Sequence, residues 1–437
     1  MSIDVIIADD SAYLRKNIAE ILKGHELINI LEYAKDGEEA VEFVKKYGPD
    51  VLVLDLLMPK MNGLDAFKMI MEERPTPTVI LSAISPKNLD SSIQALLMGA
   101  FDYIIKPGGI GAKDLPRFKE ELLSKVLLAS QSQIKRIFKK ENEDYINPKF
   151  LRQEIIDEIF EFGQYINTLA PIQEVDQNQK VIDIGKTNKV RKKEPSDVGK
   201  LSIKETTEKS DEFKKFKHQK STLNIQKRTR YSYTPNLSPI KGVSLNSNLI
   251  VIGASVGGPR SITTLLKELP NNFHAPILIV QHLSAHFTEA FADNLALECN
   301  LKIKVASDGE FLRNGTVYLA PGEKHMEITI KDNKPCIKIY KGAPVNFCMP
   351  SIDILFFSAA KIYRNRTMGI LLTGMGSDGV EGLGAIQRLG GKTITESEET
   401  SILFAMPKFA AEKGFADLVL ANYQIQEEII KFDKGIK

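Results

Sequence analysis

Short apolar runs alternate with amphipathic segments over residues 1–125. Between the runs, apolar residues recur at helical spacing, as Leu14, Ile18 and Ile21 do after the first run. Strands that alternate with helices in this way form parallel sheets with helices on both faces. We therefore expect a doubly wound five-stranded parallel sheet here. Its strands are predicted at residues 5–7, 28–31, 51–54, 79–81 and 103–105.

The same alternation returns between residues 247 and 437. Apolar runs at 249–254, 277–280, 316–320 and 367–373 are separated by segments with helical periodicity. This pattern predicts a second doubly wound α/β domain, in which the carboxyl ends of parallel strands meet at one edge of the sheet. Functional side chains are expected at that edge.

Residues 126–246 join these two domains and differ from them in composition. Amphipathic stretches at 122–138 and 148–169 predict helices, but beyond Pro171 the apolar periodicity disappears. From Lys180 to Lys241 there are 17 Lys/Arg and 7 Asp/Glu. Such a segment buries too little apolar surface to offset the entropy of ordering, so we interpret it as a disordered linker. Its functional alternative is attraction to an acidic surface such as anionic lipid, nucleic acid or an acidic partner.

Composition and charge restrict the class of protein. The net charge of +2 over 437 residues gives no reason to expect a nucleic-acid partner. Three cysteines without paired or metal-type spacing, Cys299, Cys336 and Cys348, favour reduced thiols over a disulfide scaffold. The strand-like start, which shows no signal peptide, and the lack of a long apolar run predict a cytoplasmic protein without a transmembrane segment.

Polar residues end the predicted strands of the first domain. Three carry carboxylates, one a hydroxyl and one an amine: Asp9, Asp10, Asp55, Ser82 and Lys106. Converging carboxylates repel one another unless a cation lies among them, and hard oxygen ligands with open positions suit Mg²⁺. A lysine and a serine opposite could then contact a phosphoryl group. Any single aspartate of this set could instead be a helix N-cap.

The first domain resembles the receiver domain of two-component response regulators, which has a flavodoxin-like fold. The resemblance rests on motifs that cover the whole segment: Asp9-Asp10, Asp55-Leu56-Leu57-Met58-Pro59, Asn62-Gly63, Ser82-Ala83 and Phe101-Asp102-Tyr103-Ile104-Ile105-Lys106-Pro107. It implies that Asp55 is the phospho-acceptor. Mg²⁺ would be held by three carboxylates and one backbone carbonyl, those of Asp9, Asp10, Asp55 and Leu57. Ser82 and Tyr103 would form the switch pair, and Lys106 would contact the phosphoryl group.

Three polar residues follow apolar runs of the second domain. Ser255 lies in a glycine-rich turn after the run at 249–254, His282 follows the run at 277–280, and Asp378 follows the run at 367–373. Serine is a weak nucleophile unless a base takes its proton, which histidine can do near neutral pH. A carboxylate on the other imidazole nitrogen would hold the tautomer. Backbone N–H groups of Val256 and of the loop Gly374-Met375-Gly376 could stabilise an oxyanion.

Other interpretations of these residues compete. The spacing Gly253-x-x-x-Gly257-Gly258 lacks the pattern of a dinucleotide site and the lysine of a P-loop. His286 and His325 are rival bases, and a histidine after a strand is usually a capping or core residue. His282 and His286 have the i, i+4 spacing of a metal site, but no glutamate lies between them as it would in a zincin.

The second domain is similar to the catalytic domain of CheB, the chemotaxis protein-glutamate methylesterase family. The similarity rests on motifs in the family's order: Gly253-Ala254-Ser255-Val256-Gly257-Gly258, Val280-Gln281-His282, Leu319-Ala320-Pro321-Gly322, Pro350-Ser351-Ile352-Asp353, Thr373-Gly374-Met375-Gly376-Ser377-Asp378-Gly379 and Phe404-Ala405-Met406-Pro407. It implies that Ser255 is the nucleophile, His282 the general base and acid, and Asp378 the orienting carboxylate. Met375 would add its backbone N–H to the oxyanion hole.

Together, the two resemblances imply a response-regulator enzyme. It would hydrolyse glutamate methyl esters on methyl-accepting chemotaxis receptors, and some family members also deamidate receptor glutamines. The histidine kinase CheA would phosphorylate Asp55, and phosphorylation would relieve a block by the receiver. Mg²⁺ is expected at the receiver site, and no cofactor is expected for the esterase chemistry.

The sequence departs from the family in two ways. Val256 replaces the hydroxyl residue usual after the nucleophile, so a polar contact is lost while the backbone N–H remains. The linker is far longer than usual, and a long tether lowers the effective concentration of the receiver at the active site. Inhibition by the receiver is therefore expected to be weaker, unless residues 126–170 fold and bridge the domains.

Two other functions compete with this one. A serine hydrolase acting on small esters would be favoured by a G-x-S-x-G elbow, a spacing that residues 253–257 have, but the chain has no lipase-type His-Gly-Gly-Gly run to accompany it. A response regulator that acts by binding would use the basic linker as a nucleic-acid or membrane anchor.

Overall fold

The computed structural model describes residues 2–83, 85–107, 115–138 and 247–435, together with positions 235, 237, 238, 243 and 245. The helix predicted at 148–169 lies outside these residues. So does the basic stretch 180–241, apart from positions 235, 237 and 238. Within the described ranges, no helix combines the length and the apolar character needed to cross a membrane.

The first domain is built on a five-stranded parallel sheet. Its strand order, β2-β1-β3-β4-β5, is typical of flavodoxin-like folds. The strands are β1 (Ile3–Ala8), β2 (Ile28–Ala34), β3 (Val51–Asp55), β4 (Thr78–Ser82) and β5 (Asp102–Ile105). The helices are α1 (Ala12–Lys23), α2 (Gly37–Tyr47), α3 (Gly63–Glu73), α4 (Pro86–Leu97) and α5 (Leu115–Ala129). Every residue of β3 and β4 is buried. The predicted doubly wound sheet is confirmed.

Helix α5 continues past residue 125 and is followed by the short helix α6 (Ile134–Ile137). The buried side of α5 carries Phe118, Leu122 and Val126, at helical spacing. This amphipathic pattern explains why the helix does not end where the resemblance to a receiver ends. The first part of the segment between the two domains is therefore folded.

The second domain is built on a seven-stranded parallel sheet of order β14-β13-β12-β6-β7-β9-β8. Its strands are β6 (Leu249–Ala254), β7 (Ile277–Gln281), β8 (Lys302–Val305), β9 (Thr316–Leu319), β12 (Thr367–Leu371), β13 (Lys392–Glu396) and β14 (Leu418–Leu420). A separate antiparallel hairpin consists of β10 (His325–Lys331) and β11 (Lys334–Tyr340). The helices are α7 (Gly258–Lys267), α8 (Ala285–Glu298), α9 (Ile352–Tyr363), α10 (Val380–Arg388), α11 (Met406–Glu412) and α12 (Asn422–Asp433), with a 3₁₀ turn at Arg364–Arg366. The second predicted α/β domain is confirmed.

The strand order of this sheet reverses at β6. Strands β7, β9 and β8 lie on one side of β6, and β12, β13 and β14 lie on the other. In open α/β sheets, the crevice at such a reversal is the usual place for a ligand. The carboxyl ends of β6, β7 and β12, which precede Ser255, His282 and Asp378, therefore meet at one edge.

Candidate active site and the domain that covers it

Ser255 lies at the carboxyl end of β6, in the turn that leads into α7. Its N–H donates to the carbonyl of Thr373 (3.0 Å), which ties the turn to the loop after β12. Gly257 has a φ of 76°, and a Cβ there would lie 2.7 Å from the Cβ of Ile402. Only glycine meets both conditions without strain. The turn therefore presents a partly exposed Ser255 at the edge of the sheet.

His282 and Asp378 form a close pair beside this turn. His282 follows β7, and its N–H donates to the carbonyl of Ala254 at 3.1 Å. Its Nε2 lies 3.0 Å from Asp378 Oδ2, and the two side chains are 16% and 2% exposed. A buried carboxylate at this distance can orient the imidazole and stabilise its protonated form.

The N-terminus of α9 holds the Asp378 carboxylate in place. The Ile352 N–H donates to Oδ2 (2.7 Å), Ser351 Oγ donates to Oδ1 (2.8 Å), and Asn346 Nδ2 donates to Oδ1 (3.1 Å). Burial opposes ionisation of Asp378. The hydrogen bond and charge of His282, together with the hydrogen bonds from Asn346 and Ile352, nevertheless lower the pKa of Asp378 below its ordinary value. The positive end of the α9 dipole favours the same negative charge.

A second buried carboxylate, Asp353, lies next to Asp378. It accepts hydrogen bonds from Asn346 Nδ2 (2.6 Å) and from the Gly382 N–H (2.7 Å). Burial, together with the charge of Asp378, raises the pKa of Asp353 above its ordinary value. Negative charge is thus concentrated on Asp378, where it faces His282. Neither Asn346 nor Asp353 was predicted to support the site, although Pro-Ser-x-Asp at the start of a helix indicates an N-terminus that can hold an anion.

Ser255 and His282 line one small cavity. Among the described residues, however, no hydrogen bond joins Ser255 Oγ to the imidazole. Because Asp378 faces Nε2, the nitrogen able to accept a proton in this arrangement is Nδ1. Cys348, which no sequence motif connects with the site, places its Sγ 3.8 Å from that nitrogen. The structure thus brings His282 and Asp378 into direct contact and places Ser255 in the same cavity as His282.

Two backbone N–H groups near Ser255 are suited to an oxyanion. A Cβ on Gly374 would lie 2.7 Å from the Ser255 Cβ, so the loop after β12 runs against the serine. In the part of the chain that the structure describes, neither the Val256 N–H nor the Met375 N–H donates a hydrogen bond. Donors of this kind can stabilise the negative charge that develops in acyl transfer.

The two rival histidines have other surroundings. His286 is exposed on α8. His325 is buried in β10, where its Nε2 lies 3.0 Å from the Ala343 carbonyl and its Nδ1 accepts a hydrogen bond from the Ser351 N–H (3.2 Å). His325 therefore supports the turn before α9. Of the three histidines, His282 is the one that lines the cavity with Ser255.

Asp9, Asp10 and Asp55 converge at the carboxyl ends of β1 and β3, with carboxylate oxygens within 4.8 Å of one another. Lys106 Nζ lies 2.8 Å from Asp9 Oδ2 and 2.7 Å from Asp55 Oδ2. Burial, with the charge of Asp9, raises the pKa of Asp55 above its ordinary value, although Lys106 opposes the shift. A hard divalent cation would relieve this penalty, so the donor set fits Mg²⁺. The loop after β3 adjoins it, since the Leu57 N–H donates to Asp55 Oδ1 (3.2 Å).

Ser82 and Tyr103 have partners in different domains. Ser82 Oγ accepts a hydrogen bond from Ser92 Oγ of α4 (2.9 Å). The Tyr103 ring stacks on Phe287 of α8 with centroids 3.8 Å apart, and its hydroxyl accepts a hydrogen bond from the Ser284 N–H (3.3 Å). Tyr103 therefore links the first domain to the helix that follows His282.

The first domain also covers the cavity that contains Ser255. Leu96, Phe101 and Asp102 line this cavity from the first domain, and Ser255 and His282 line it from the second. Helix α4 packs against α7 and α8 on this side. A substrate as large as a protein helix could not reach the serine while this cover is in place.

Residues 130–138, which we name the bridging segment, contact both domains. The Gln133 N–H donates to the carbonyl of Ile402 in the second domain (3.0 Å). The Phe138 ring lies 4.7 Å from the Arg260 guanidinium of the second domain, and a Cβ on Gly99 of the first would lie 2.3 Å from the same ring. The bridging segment therefore connects the two domains, which is the condition set above for inhibition by a receiver on a long linker.

Two protein families match different parts of the chain. The response regulator receiver domain matches residues 5–113, and the CheB methylesterase matches residues 250–429. A Pyrococcus horikoshii protein-glutamate methylesterase/protein-glutamine glutaminase is 30% identical over 429 residues, 98% of this chain and 93% of that protein. The protein of the same name from Methanococcus maripaludis is 31% identical over 435 residues, 99% of each chain. The crystal structure of the Thermotoga maritima CheB methylesterase catalytic domain is 40% identical, covering 43% of this chain and 99% of that chain, with a TM-score of 0.42.

The fold and the matching families define a response regulator that carries a hydrolase domain. The chain belongs to the CheB family of protein-glutamate methylesterases/protein-glutamine glutaminases. Both resemblances noted in the sequence, to a receiver and to a CheB-type methylesterase, are thereby confirmed.

Proposed function

We propose that this enzyme is a phosphorylation-activated serine hydrolase that demethylates glutamate methyl esters on methyl-accepting chemotaxis receptors in the cytoplasm. The observation that carries the proposal is the 3.0 Å contact between His282 Nε2 and Asp378 Oδ2 beside the Ser255 turn. The name of the relatives supplies the substrate class. The same acyl chemistry would act on a receptor glutamine, with ammonia as the leaving group, so deamidation is part of the proposal.

Ser255 is the nucleophile in this mechanism, and His282 is its base. Ser255 Oγ attacks the ester carbonyl while His282 Nδ1 takes the hydroxyl proton. The N–H groups of Val256 and Met375 hold the oxyanion. His282 then gives the proton to the departing methoxide, methanol leaves, and an acyl-serine remains. Water deprotonated by His282 hydrolyses that ester and restores glutamate and Ser255.

The covered state lacks a hydrogen bond between Ser255 and its base. Ser255 Oγ is not hydrogen-bonded to His282 in the described structure, and catalytic hydrogen bonds often tighten only when substrate is bound. An ester that enters in place of the covering residues must bring Oγ within reach of Nδ1. Removal of the cover is therefore a required step of the proposed reaction.

Control by the receiver follows from the position of Asp55. CheA would transfer a phosphoryl group to Asp55, and Mg²⁺ bound by the three carboxylates would neutralise part of its charge. Lys106, which is paired with Asp55 in the structure, would pair with phosphoryl oxygens instead. Lys106 directly follows β5, the strand that carries Tyr103. We infer that this change weakens the contact between Tyr103 and Phe287 and uncovers the site.

Methanol release from methylated receptors tests the proposed function. With Mg²⁺ and a small phosphodonor, the rate should rise by up to about tenfold, because an aromatic contact is worth about 0.5–1.5 kcal/mol. Asp55→Asn should keep the unstimulated rate and lose the stimulation. Asp65→Asn, which changes an exposed aspartate of the same domain, should behave as wild type. Absence of methanol in every preparation would contradict the proposed esterase activity. A wild-type rate that does not rise with the phosphodonor would contradict control by phosphorylation.

Tyr103→Ala should raise methanol release without a phosphodonor by about 3- to 10-fold, because it removes the stacked contact with Phe287. The rate with a phosphodonor should change little. Tyr103→Phe keeps the ring and loses only the hydrogen bond from the Ser284 N–H, so its effect should be smaller. Tyr33→Ala removes an exposed tyrosine of β2 and is the matched control. An unstimulated rate equal to that of wild type would show that Tyr103 does not maintain the cover.

A further inference from the structure

His282 has a second neighbour that the proposed mechanism does not use. Cys348 Sγ lies 3.8 Å from His282 Nδ1, whereas Asp378 faces the other ring nitrogen. One donor atom from each of these three residues lies within 4.8 Å of the others. His282 and Cys348 are both partly exposed residues.

The types of donor atom and their separation suit a thiophilic divalent cation. Zn²⁺ binds a thiolate at about 2.3 Å and an imidazole nitrogen at about 2.0–2.1 Å. With a tetrahedral angle at the metal, these bond lengths place the sulfur and nitrogen about 3.5 Å apart. The observed separation between Cys348 Sγ and His282 Nδ1 is 3.8 Å. The two side chains are thus close to the geometry of a zinc chelate without a rearrangement of the backbone.

Asp378 gives this pair the outer partner that metal-binding histidines have. A ligating histidine donates its other ring N–H to a carboxylate, which fixes the ring and makes it a better ligand. Asp378 Oδ2 is in this position, 3.0 Å from His282 Nε2. Burial and the charges of Asp378 and Asp353 raise the pKa of the Cys348 thiol, so a cation must displace the thiol proton and should bind more tightly as the pH rises.

We propose that Cys348 and His282 bind Zn²⁺ or a similar thiophilic cation, with Asp378 as the outer partner, and that the bound ion blocks the hydrolase. The ion would occupy Nδ1, which must otherwise take the Ser255 proton. Water molecules would complete the coordination. The blocking effect rests on the proposed function of His282, whereas the binding of the ion does not.

Cobalt binding to the full-length protein tests the site independently of catalysis. Excess Mg²⁺ is included to occupy the carboxylates of the first domain. Wild type should take up one Co²⁺ with a thiolate-to-cobalt charge-transfer absorption, and Zn²⁺ should displace it. Cys348→Ser should lose this absorption and bind Zn²⁺ at least about tenfold more weakly in competition with a chromogenic chelator. Cys299→Ser, which removes another half-buried thiol, should match wild type.

Zinc inhibition tests the consequence for the reaction. Methanol release is measured with and without Zn²⁺, and each variant is compared with its own metal-free rate. Wild type and Cys299→Ser should be inhibited and recover with a chelator, whereas Cys348→Ser should not be inhibited. Lack of the cobalt absorption, or equal zinc affinity in Cys348→Ser, would overturn the metal site. Binding without inhibition would overturn the blocking effect and contradict the assignment of His282 Nδ1 as the base.

Discussion

Ser255→Ala should lower methanol release by about 10⁴-fold or more, because no acyl-serine can form. The loss should appear in kcat, since the hydroxyl acts only in the chemical steps. The residual rate would come from substrate binding and from the N–H groups of Val256 and Met375. Because the substitution removes one oxygen from a partly exposed position, the fold should persist, and circular dichroism with thermal unfolding can verify this.

A covalent probe makes the Ser255 experiment more specific. An activated fluorophosphonate should label wild type at one serine and leave Ser255→Ala unlabelled. Ser307→Ala, which changes an exposed serine of the same domain, should keep both the rate and the label. Labelling of the Ser255→Ala variant, or a rate close to that of wild type, would assign the nucleophile to another residue.

Asp378→Asn should lower kcat by about 10⁴-fold, because it should shift His282 to the tautomer that cannot take the Ser255 proton. The carboxylate accepts a hydrogen bond from Nε2, which leaves Nδ1 free to take a proton. The amide N–H₂ of asparagine can face Nε2 only as a donor, and it then favours the tautomer with the proton on Nδ1. His282 would stay near Ser255 but could no longer act as its base.

The asparagine variant needs a control for the hydrogen bonds that hold Asp378. Its oxygens accept from the Ile352 N–H, from Ser351 Oγ and from Asn346, so part of the effect could be loss of stability. Urea unfolding of the variant measures that part separately. Asp332→Asn is the control, because Asp332 lies in the exposed turn of the β10–β11 hairpin; this variant should match wild type in rate and stability. A loss of rate smaller than about tenfold in a folded Asp378→Asn would contradict the assigned role.

Both sheets could be predicted because strands buried on both faces appear in the sequence as continuous apolar runs. Strand β6 has all six residues buried, and its run of Leu, Ile, Val, Ile, Gly and Ala is visible without a structure. Ser255, His282 and Asp378 could be predicted to lie together because each follows such a run within five residues. The seven-stranded order itself had no local signal, but any order with β6 between β7 and β12 brings the three residues to one edge.

The neighbours of these residues could not be predicted from the same patterns. Asn346 and Cys348 belong to a loop without helical or strand periodicity, so the approach of Asn346 to Asp378 and of Cys348 to His282 depends on the path of the backbone. No pattern indicates which imidazole nitrogen faces Asp378. The hydrogen bond from the Ser284 N–H to Tyr103 joins positions 181 residues apart, across a segment whose composition carries no information about domain contact.

The stacking of Tyr103 on Phe287 has a consequence for the receiver as well as for the hydrolase. If phosphorylation of Asp55 weakens that contact, thermodynamic reciprocity requires the contact to disfavour phosphorylation by the same factor. The catalytic domain then lowers the equilibrium level of phosphate on its own receiver. A methylated receptor that competes with the cover for the Ser255 cavity would raise that level, so the substrate would promote activation of the enzyme that consumes it.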